Sequence, residues 1–322
     1  MKSDFLSLQD IESRDELTQL FELCDTLKAN RDIKPLTGKT VALLFQKPSL
    51  RTRVSFEVGV VQLGAYPIYL GQESVGLGKR ESVADVARVL SRYNDLIIAR
   101  LFEHSILLEL AEYASVPVIN ALTNHSHPCQ VFADLYTMRQ HGKLFEGIKV
   151  VFVGDGNNVV NSWLEMSMLY PMHFVLAAPA AYNPHIATLK AAMKAAVSKI
   201  EVLEDPESAV QNADVIYTDV WTSMGQEDEA EERRRAFRPY QVNAKLLSLA
   251  KPDAIVMHCL PANRGEEITD EVLDGKQSVA FDQAENRLHA QKAIVVRLLQ
   301  KSAPKTSPQK SSGKRKRLAP IE

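Results

Sequence analysis

The feature that most constrains the fold of this chain is a regular alternation of β-branched apolar runs with amphipathic stretches. The runs Thr40–Phe45, Asp95–Ala99 and Lys149–Gly154 are each followed by a segment whose apolar residues recur at helical spacing. Strands without a polar face are buried on both sides, as in parallel sheets that helices cover. The alternation therefore predicts an α/β fold with two doubly wound parallel-sheet domains joined by interdomain helices.

Domain boundaries follow from the places where the alternation pauses. It restarts after residues 140–148, so we predict one domain at 1–140 and a second at 149–286. A last helix at 287–300 is expected to return and complete the first domain. The pattern also predicts one or two leading helices in the first 30 or so residues. Strands are predicted at 40–45, 67–70, 95–99, 116–120, 149–154, 174–178, 200–203, 215–218 and 254–257. Helices are predicted at 52–63, 83–93, 106–114, 130–140 and 159–169.

Two long segments, 223–240 and 260–269, lack regular patterning. Structureless stretches of this length in compact domains are often lids or binding loops. The run 227–235 inside the first of them is dense in both charge signs and fits a solvated helix equally well.

Composition excludes several classes of protein. The 322 residues are enough for two domains, and no run reaches the roughly 18 apolar residues of a membrane span. The first residues, Met1–Leu6, lack the apolar run of a signal peptide. Three cysteines, an odd number, are not typical of a disulfide framework and favour a reducing cytoplasm.

The net charge of −2 conceals an asymmetry between the body of the chain and its end. Residues 301–322 contain seven of the 38 Lys and Arg residues and one of the 40 acids, which leaves 31 basic and 39 acidic groups elsewhere. A mildly acidic body does not favour a nucleic-acid partner. We predict that 301–322 is a disordered basic tail. Its run Lys314–Arg317 would suit a polyanion or a membrane surface, but a solvated extension is the simpler interpretation.

A cluster of candidate functional residues lies in Lys47–Arg53, between a predicted strand and a predicted helix. Ser49 is a good N-cap, and the unpaired amides of a helix N-terminus attract anions. Arg51 and Arg53 add guanidinium groups that suit phosphate oxygens. The pattern fits a phosphate site, although a capped helix with two surface arginines would look the same.

Together with motifs further along, this segment resembles the aspartate/ornithine carbamoyltransferase family. Ser49–Arg53 resembles the family's Ser-x-Arg-Thr-Arg signature for carbamoyl phosphate. The resemblance covers roughly residues 1–300 and continues, in the family's order, through Arg100, His127–Gln130, Gly154–Asn158, Asp219–Gly225, His258–Pro261 and Phe281–Arg287, with the later motifs similar to the ornithine branch.

The resemblance implies a carbamoyl-phosphate site in the first domain. Thr52, Arg100 and His127 would stabilise the oxyanion of the tetrahedral intermediate, and Gln130 would lie near the carbamoyl amide. Among these residues and their neighbours, the implied catalytic set is Arg51, Thr52, Arg100, His127 and Cys259. The implied carbamoyl-phosphate contacts are Ser49, Leu50, Arg51, Thr52, Arg100, His127, Gln130, Cys259, Leu260 and Arg287.

For the second substrate the resemblance implies an ornithine site in the domain at 149–286, formed by Asn158, Asp219, Ser223 and Met224. Asp219 would bind the α-ammonium group. The side-chain amine must lose a proton before it attacks, and Cys259, Asp219 and the departing phosphate remain alternative acceptors.

Several of these residues also fit simpler interpretations when taken one at a time. Arg100 could be a surface residue, His127 a helix cap and Cys259 a small buried hydrophobe. The neighbouring His and Cys residues could hold zinc, but catalysis by positioning explains them, so no metal and no other cofactor is expected. A nicotinamide site is rejected because the sequence after Gly154 has Val159 where the dinucleotide fingerprint needs its third glycine.

The family resemblance further implies a cytoplasmic homotrimer acting in arginine metabolism. One departure concerns Gly76, which stands where family members often have a Gln that reaches a neighbouring subunit's site; Lys79 or Arg80 could substitute for it. A related transferase for an acylated ornithine or putrescine is the nearest alternative. A non-catalytic binding or scaffold protein on the same fold is the alternative of another class.

Overall fold

Two parallel sheets, one in each half of the chain, form the centre of the fold. The computed structural model describes residues 3–72, 76–77, 80–223 and 227–301. The first sheet has the strand order β2-β1-β3-β4 and the second β7-β6-β5-β8-β9, with every pairing parallel. This confirms the predicted fold class. The strands are β1 (Thr40–Phe45), β2 (Tyr66–Gly71), β3 (Leu96–Arg100), β4 (Val118–Leu122), β5 (Ile148–Val153), β6 (Met172–Ala177), β7 (Lys199–Leu203), β8 (Val215–Thr218) and β9 (Ile255–His258).

Helices cover both sheets, and none of those in the described ranges is long and apolar enough to cross a membrane. They are α1 (Arg14–Ala29), α2 (Leu50–Gln62), α3 (Val83–Tyr93), α4 (His104–Tyr113), α5 (Pro128–Gln140), α6 (Asn158–Ser167), α7 (Ile186–Ala195), α8 (Pro206–Val210), α9 (Ala230–Phe237), α10 (Ala244–Leu247), α11 (Asp270–Leu273) and α12 (Ala280–Lys301), with 3-10 turns at Leu8–Asp10, Glu227–Glu229 and Arg238–Tyr240.

Helices α5 and α12 join the two halves. Every residue of α5 from Pro128 to Met138 is buried. Helix α12 packs against α1, α2 and α5 of the first half and reaches β9 of the second. One apolar cluster consequently runs from Val41 in the first sheet to Met257 in the second, which fits the prediction of interdomain helices.

The strand orders determine where a ligand can bind. In the first sheet the chain runs from β1 to β2 on one side and then to β3 on the other, and in the second sheet β5 and β8 mark the corresponding reversal. Crevices at the carboxyl ends of such strands are the usual ligand sites of open α/β sheets. Most of the motifs singled out above lie at the carboxyl ends of β1, β3, β4, β5, β8 and β9 or in the segments directly after them.

Three sequence-based predictions were wrong in detail. Helix α12 begins at Ala280 rather than at 287, because its first turns bury polar residues such as Gln283 and Asn286 that do not look like a helical core stripe. The segment 223–240 contains α9, which agrees with the alternative of a helix at 227–235, but Arg233 of that helix is buried and not solvated. Lys301 belongs to α12 and pairs with Glu16 at 2.9 Å, so it is not part of a tail. Residues 302–322 lie outside the described residues.

Candidate active site

A cleft of about 1000 Å³ opens between the two halves at the carboxyl ends of the strands. It collects nearly all of the predicted site residues, and only Met224 lies outside the described residues. Those that line it are Ser49, Leu50, Arg51, Thr52, Arg100, His127, Gln130, Asn158, Asp219, Ser223, Cys259, Leu260 and Arg287.

The wall of the cleft nearest the first sheet is cationic and converges on Thr52, in the first turn of α2. The Ser49 Oγ caps this helix by accepting from the Thr52 amide at 3.3 Å. The Thr52 Oγ1 in turn accepts from Arg287 Nη2 at 2.6 Å and from Arg100 Nη1 at 3.5 Å. Two buried guanidinium groups therefore meet at one hydroxyl in the first turn of α2.

This cationic group is electrostatically incomplete. Burial and the neighbouring charges of Arg287 and Arg51 lower the pKa of Arg100. The Nε atoms of Arg100 and Arg287 are buried, and neither has a hydrogen-bond partner in the part of the chain that the structure describes. Within the described ranges none of the three arginines forms an ion pair with a carboxylate. Buried cations of this kind favour a bound anion, and their fork geometry suits phosphate.

His127 lies beside the same cations as a neutral imidazole. Its pKa is lowered well below the usual value by burial and by the charges of Arg287, Arg100 and Lys47. The backbone amide of His127 donates to Ser162 Oγ at 2.8 Å, which holds the residue at the start of α5. Its Nδ1 is buried without a partner in the described part of the chain. A neutral ring in this position is suited to polarising a carbonyl group.

The opposite wall, from the second sheet, is a hydrogen-bonded acidic frame. The Asp219 Oδ1 accepts from the Val220 amide at 2.8 Å and from Cys259 Sγ at 2.9 Å. Its Oδ2 accepts from Asn157 Nδ2 at 2.8 Å. Asn158 donates from Nδ2 to the Thr123 carbonyl at 2.7 Å across the two halves. This wall presents an oriented carboxylate to a cationic ligand group.

Cys259 is a protonated thiol in this arrangement. Burial and the adjacent Asp219 carboxylate raise its pKa well above the usual range. The thiol therefore serves as a hydrogen-bond donor to Asp219 and not as a base.

Asp219, His258 and Cys259 lie close enough together to suggest a metal site. His258, however, uses both ring nitrogens in hydrogen bonds. Its Nε2 lies 3.0 Å from Glu267 Oε1, and its Nδ1 accepts from the Leu260 amide at 2.9 Å. The imidazole is thus committed to holding the Cys259–Leu260 turn, and coordination of a metal would break that turn.

The structure also identifies residues near the cleft that the sequence analysis did not single out. Arg233 joins its α9 to the cleft by donating from Nη1 to Asp155 Oδ2 and to the Trp221 carbonyl, both at 3.0 Å. Asn157 caps α6 and holds Asp219. An Asn before a predicted helix was a visible signal for that role, whereas nothing local indicated that Arg233 reaches Asp155.

Arg53, grouped with Arg51 in the sequence analysis, does not reach the cleft. It is exposed, pairs with Glu57 at 3.1 Å and lies 3.6 Å from the centre of the Tyr69 ring. Helical periodicity explains the difference, because residues two apart on a helix point in different directions. Gly76 and Arg80 do not line the cleft of their own chain either, and Lys79 lies outside the described residues.

Comparisons with known proteins agree with this geometry. Residues 3–140 match the family profile for the carbamoyl-P binding domain of aspartate/ornithine carbamoyltransferase, and residues 146–298 match the profile for its Asp/Orn binding domain. An ornithine carbamoyltransferase of Chlorobaculum tepidum is 53% identical over 305 residues, which cover 92% of this chain and 90% of that protein.

Solved structures give the same result. The ornithine carbamoyltransferase of Pyrococcus furiosus superposes with a TM-score of 0.89 at 49% identity, covering 93% of this chain and 98% of that one. An anabolic ornithine carbamoyltransferase of Campylobacter jejuni gives a TM-score of 0.88 at 39% identity, covering 92% and 99%. Both profiles and these relatives span most of the chain, which therefore belongs to the aspartate/ornithine carbamoyltransferase family.

Proposed function

We propose that this chain is an enzyme that transfers the carbamoyl group of carbamoyl phosphate to the side-chain amine of L-ornithine, giving L-citrulline and phosphate. One observation carries the proposal. The buried arginines around Thr52 lie on one side of the cleft, and the Asp219 carboxylate faces them from the other side. An anionic donor and an ammonium-bearing acceptor suit these two walls. Relatives named ornithine carbamoyltransferase support the same choice.

In this proposal the first domain, 1–140 completed by α12, binds carbamoyl phosphate. The α2 N-terminus, Ser49, Leu50 and Arg51 hold the phosphate, and Thr52, Arg100, His127 and Arg287 stabilise the oxyanion. Gln130, Cys259 and Leu260 lie by the carbamoyl amide. The second domain, 149–286, orients ornithine through Asn158, Asp219, Ser223 and Met224.

The reaction balances without a cofactor. The ornithine amine nitrogen forms a bond to the carbonyl carbon, and the bond from that carbon to the bridging phosphate oxygen breaks. The electron pair of that bond leaves with the phosphate, which the arginines stabilise. The amine loses one proton, and because Cys259 is a neutral thiol, the acceptors are Asp219 and the departing phosphate.

We further propose a homotrimer acting in the arginine pathway of the cytoplasm. Support for an assembly comes from the outer face of α2, which exposes an apolar stripe at Leu50, Val54, Val58 and Val61, with 74%, 46%, 40% and 59% of their surface accessible. This stripe begins at the phosphate-binding end of α2, so a neighbouring copy seated on it would lie beside the cleft. Light scattering after gel filtration should give three times 35.9 kDa, and Val58→Lys should shift the mass to that of the monomer.

The experiment that tests the activity is an assay of carbamoylated product with ornithine, putrescine and N-acetylornithine side by side. Ornithine should be the preferred acceptor by a wide margin. A preference for either of the other amines would replace the substrate assignment, and no product with any amine would favour a binding or scaffold protein.

A further inference from the structure

A buried carboxylate behind the cleft has no part in the mechanism described so far. Asp134 lies on α5, one turn after Gln130, and is 0% exposed. Its Oδ1 accepts two hydrogen bonds, one from Gln130 Nε2 at 2.9 Å and one from Gln283 Nε2 at 2.7 Å. A buried acid that forms no ion pair with the described residues is unfavourable, so its presence needs a reason beyond packing.

The carboxylate determines which way both glutamine amides point. Its Oδ1 accepts and cannot donate, and a proton bound to the carboxyl group would lie on Oδ2, which has no partner among the described residues. Both amides must therefore turn their NH2 groups toward Asp134. Gln283 then uses its Oε1 to accept from the His258 amide at 2.9 Å. The Oε1 of Gln130 accepts no hydrogen bond from the described residues, and Gln130 lines the cleft.

This orientation matches the donor substrate of the proposed function, on which the inference rests. A carbamoyl group ends in an NH2 that donates two hydrogen bonds and accepts none. A Gln130 amide turned the other way would place NH2 against NH2. We infer that Asp134 is a positioning residue that holds the Gln130 carbonyl oxygen toward the carbamoyl nitrogen, and so selects carbamoyl over other acyl phosphates.

The same carboxylate ties together the segments that surround that nitrogen. Gln283 belongs to α12 and also donates to the Tyr217 hydroxyl of β8 at 3.1 Å. Its bond to the His258 amide fixes the end of β9, directly before Cys259 and Leu260. Through Gln283, Asp134 thereby fixes the position of Gln130 relative to the Cys259–Leu260 turn, which lies on the far side of the carbamoyl group.

Binding of acetyl phosphate tests the inference, because its methyl group replaces the NH2 of carbamoyl phosphate and donates no hydrogen bond. Dissociation constants of both ligands and of inorganic phosphate are measured by calorimetry, without ornithine. In Asp134→Leu the preference for carbamoyl over acetyl phosphate should fall by about tenfold, the worth of one hydrogen bond. Binding of inorganic phosphate should change less than about twofold, because no contact to it is altered.

Two further variants separate orientation from general damage. Asp134→Asn keeps an acceptor at the Oδ1 position and should retain the wild-type preference. Glu165→Leu removes another buried acid, which accepts from the Leu8 amide at 3.2 Å and does not line the cleft, and it should leave the preference unchanged. If Asp134→Leu does not fold, Asp134→Ser, whose hydroxyl is too short to reach both amides, serves in its place.

An unchanged preference in the folded Leu or Ser variant would overturn the inference. So would a parallel loss of all three ligands, since that is the signature of a merely structural role. Failure of the proposed function is a separate result, because it would appear as a wild-type protein that makes no citrulline.

Discussion

The two walls of the cleft carry opposite charges and differ in how far the protein itself satisfies those charges. The wall around Thr52 brings buried guanidinium groups together, and none of them forms an ion pair with a carboxylate among the described residues. In the wall around Asp219 both carboxylate oxygens already accept hydrogen bonds from the protein, and Oδ2, which has a single donor, can still accept from a ligand. The nearby Asp155 is paired with Arg233. One wall is completed only by an anionic ligand, whereas the other is built before any ligand arrives.

This difference indicates which property of the reaction each wall controls. An incomplete cationic wall gains most when charge develops on a departing phosphate, so its residues should act mainly on the rate of the chemical step. A preorganised acidic frame recognises a group already present on the acceptor, so its residues should act mainly on the choice of amine. Variants in the two walls should therefore fail in different ways.

The largest effect is expected when the cationic wall loses one member. Arg51→Ala should lower kcat/KM by about 10³-fold, because removal of one preorganised donor from a transition state has effects of this size. Steady-state kinetics of citrulline formation measure the loss, and circular dichroism should remain that of the wild type.

Arg53→Ala is the matched control, from the same turn of the same helix. Its side chain pairs with Glu57 and lies outside the cleft, so activity should stay within about threefold of wild type, as is usual for surface substitutions. Equal losses in both variants would contradict the assignment of the anion site to Arg51.

A smaller effect, on selectivity, is expected from the acidic wall. Asp219→Asn should reduce the advantage of ornithine over putrescine by about 10²-fold, because only ornithine carries an α-ammonium that pairs with the carboxylate. Competition between the two amines at fixed carbamoyl phosphate measures this ratio. Calorimetric binding of carbamoyl phosphate should be nearly unaffected, and a loss of carbamoyl-phosphate binding without a change in amine preference would reverse the roles of the walls.

The cationic wall could be predicted from sequence further than the acidic one, for a physical reason. Ser49, Arg51 and Thr52 are neighbours in the chain, and a strand followed by a capped helix is a local pattern. The same applies to β1 and α3, whose bounds match the prediction, since each depends on apolar spacing within one segment.

Long-range polar pairing left no comparable signal. Asp134 and Gln283 are 149 residues apart, and Arg233 and Asp155 are 78 apart. In its own segment each of these residues resembles a solvent-exposed polar side chain, and only the packing of α5 against α12, or of α9 against the second sheet, turns it inward. The early start of α12 escaped prediction for the same reason.

A third region, a row of histidines contributed by both halves, should respond to pH. His104 and His125 of the first half and His185 of the second form a row, with successive ring centres 4.9 Å apart. Burial and the neighbouring His125 lower the pKa of His104 to about 4. The unfolded chain, with a histidine pKa near 6.5, therefore binds more protons between these values, and stability is lost as the pH falls from about 6.5 toward 4.

Melting temperatures between pH 7.5 and pH 4.5 test this expectation. The melting temperature of His104→Gln should fall less than that of the wild type, by about 1 to 2 °C over this pH range. The difference is small because the ring is partly exposed and solvent screens its charge. Parallel curves for the two proteins would show that the row does not contribute to the acid sensitivity.

The smallest effect is expected from the largest concentration of positive charge in the chain. Residues 302–322 carry six Lys and Arg residues, more than the cationic wall itself. If charge alone attracted the phosphate, removal of this segment would weaken carbamoyl-phosphate binding. Cations in water, however, are screened and already solvated, whereas the buried guanidinium groups around Thr52 are held in place and gain their full interaction only from the ligand.

A chain ending at Lys301 keeps the contact of that residue with Glu16, and its kcat/KM should lie within about twofold of wild type, with a melting temperature shifted by less than about 2 °C. A tenfold rise in the KM for carbamoyl phosphate would show instead that the charges of 302–322 assist the buried ones, and the contrast between the walls would then no longer explain binding of the anion.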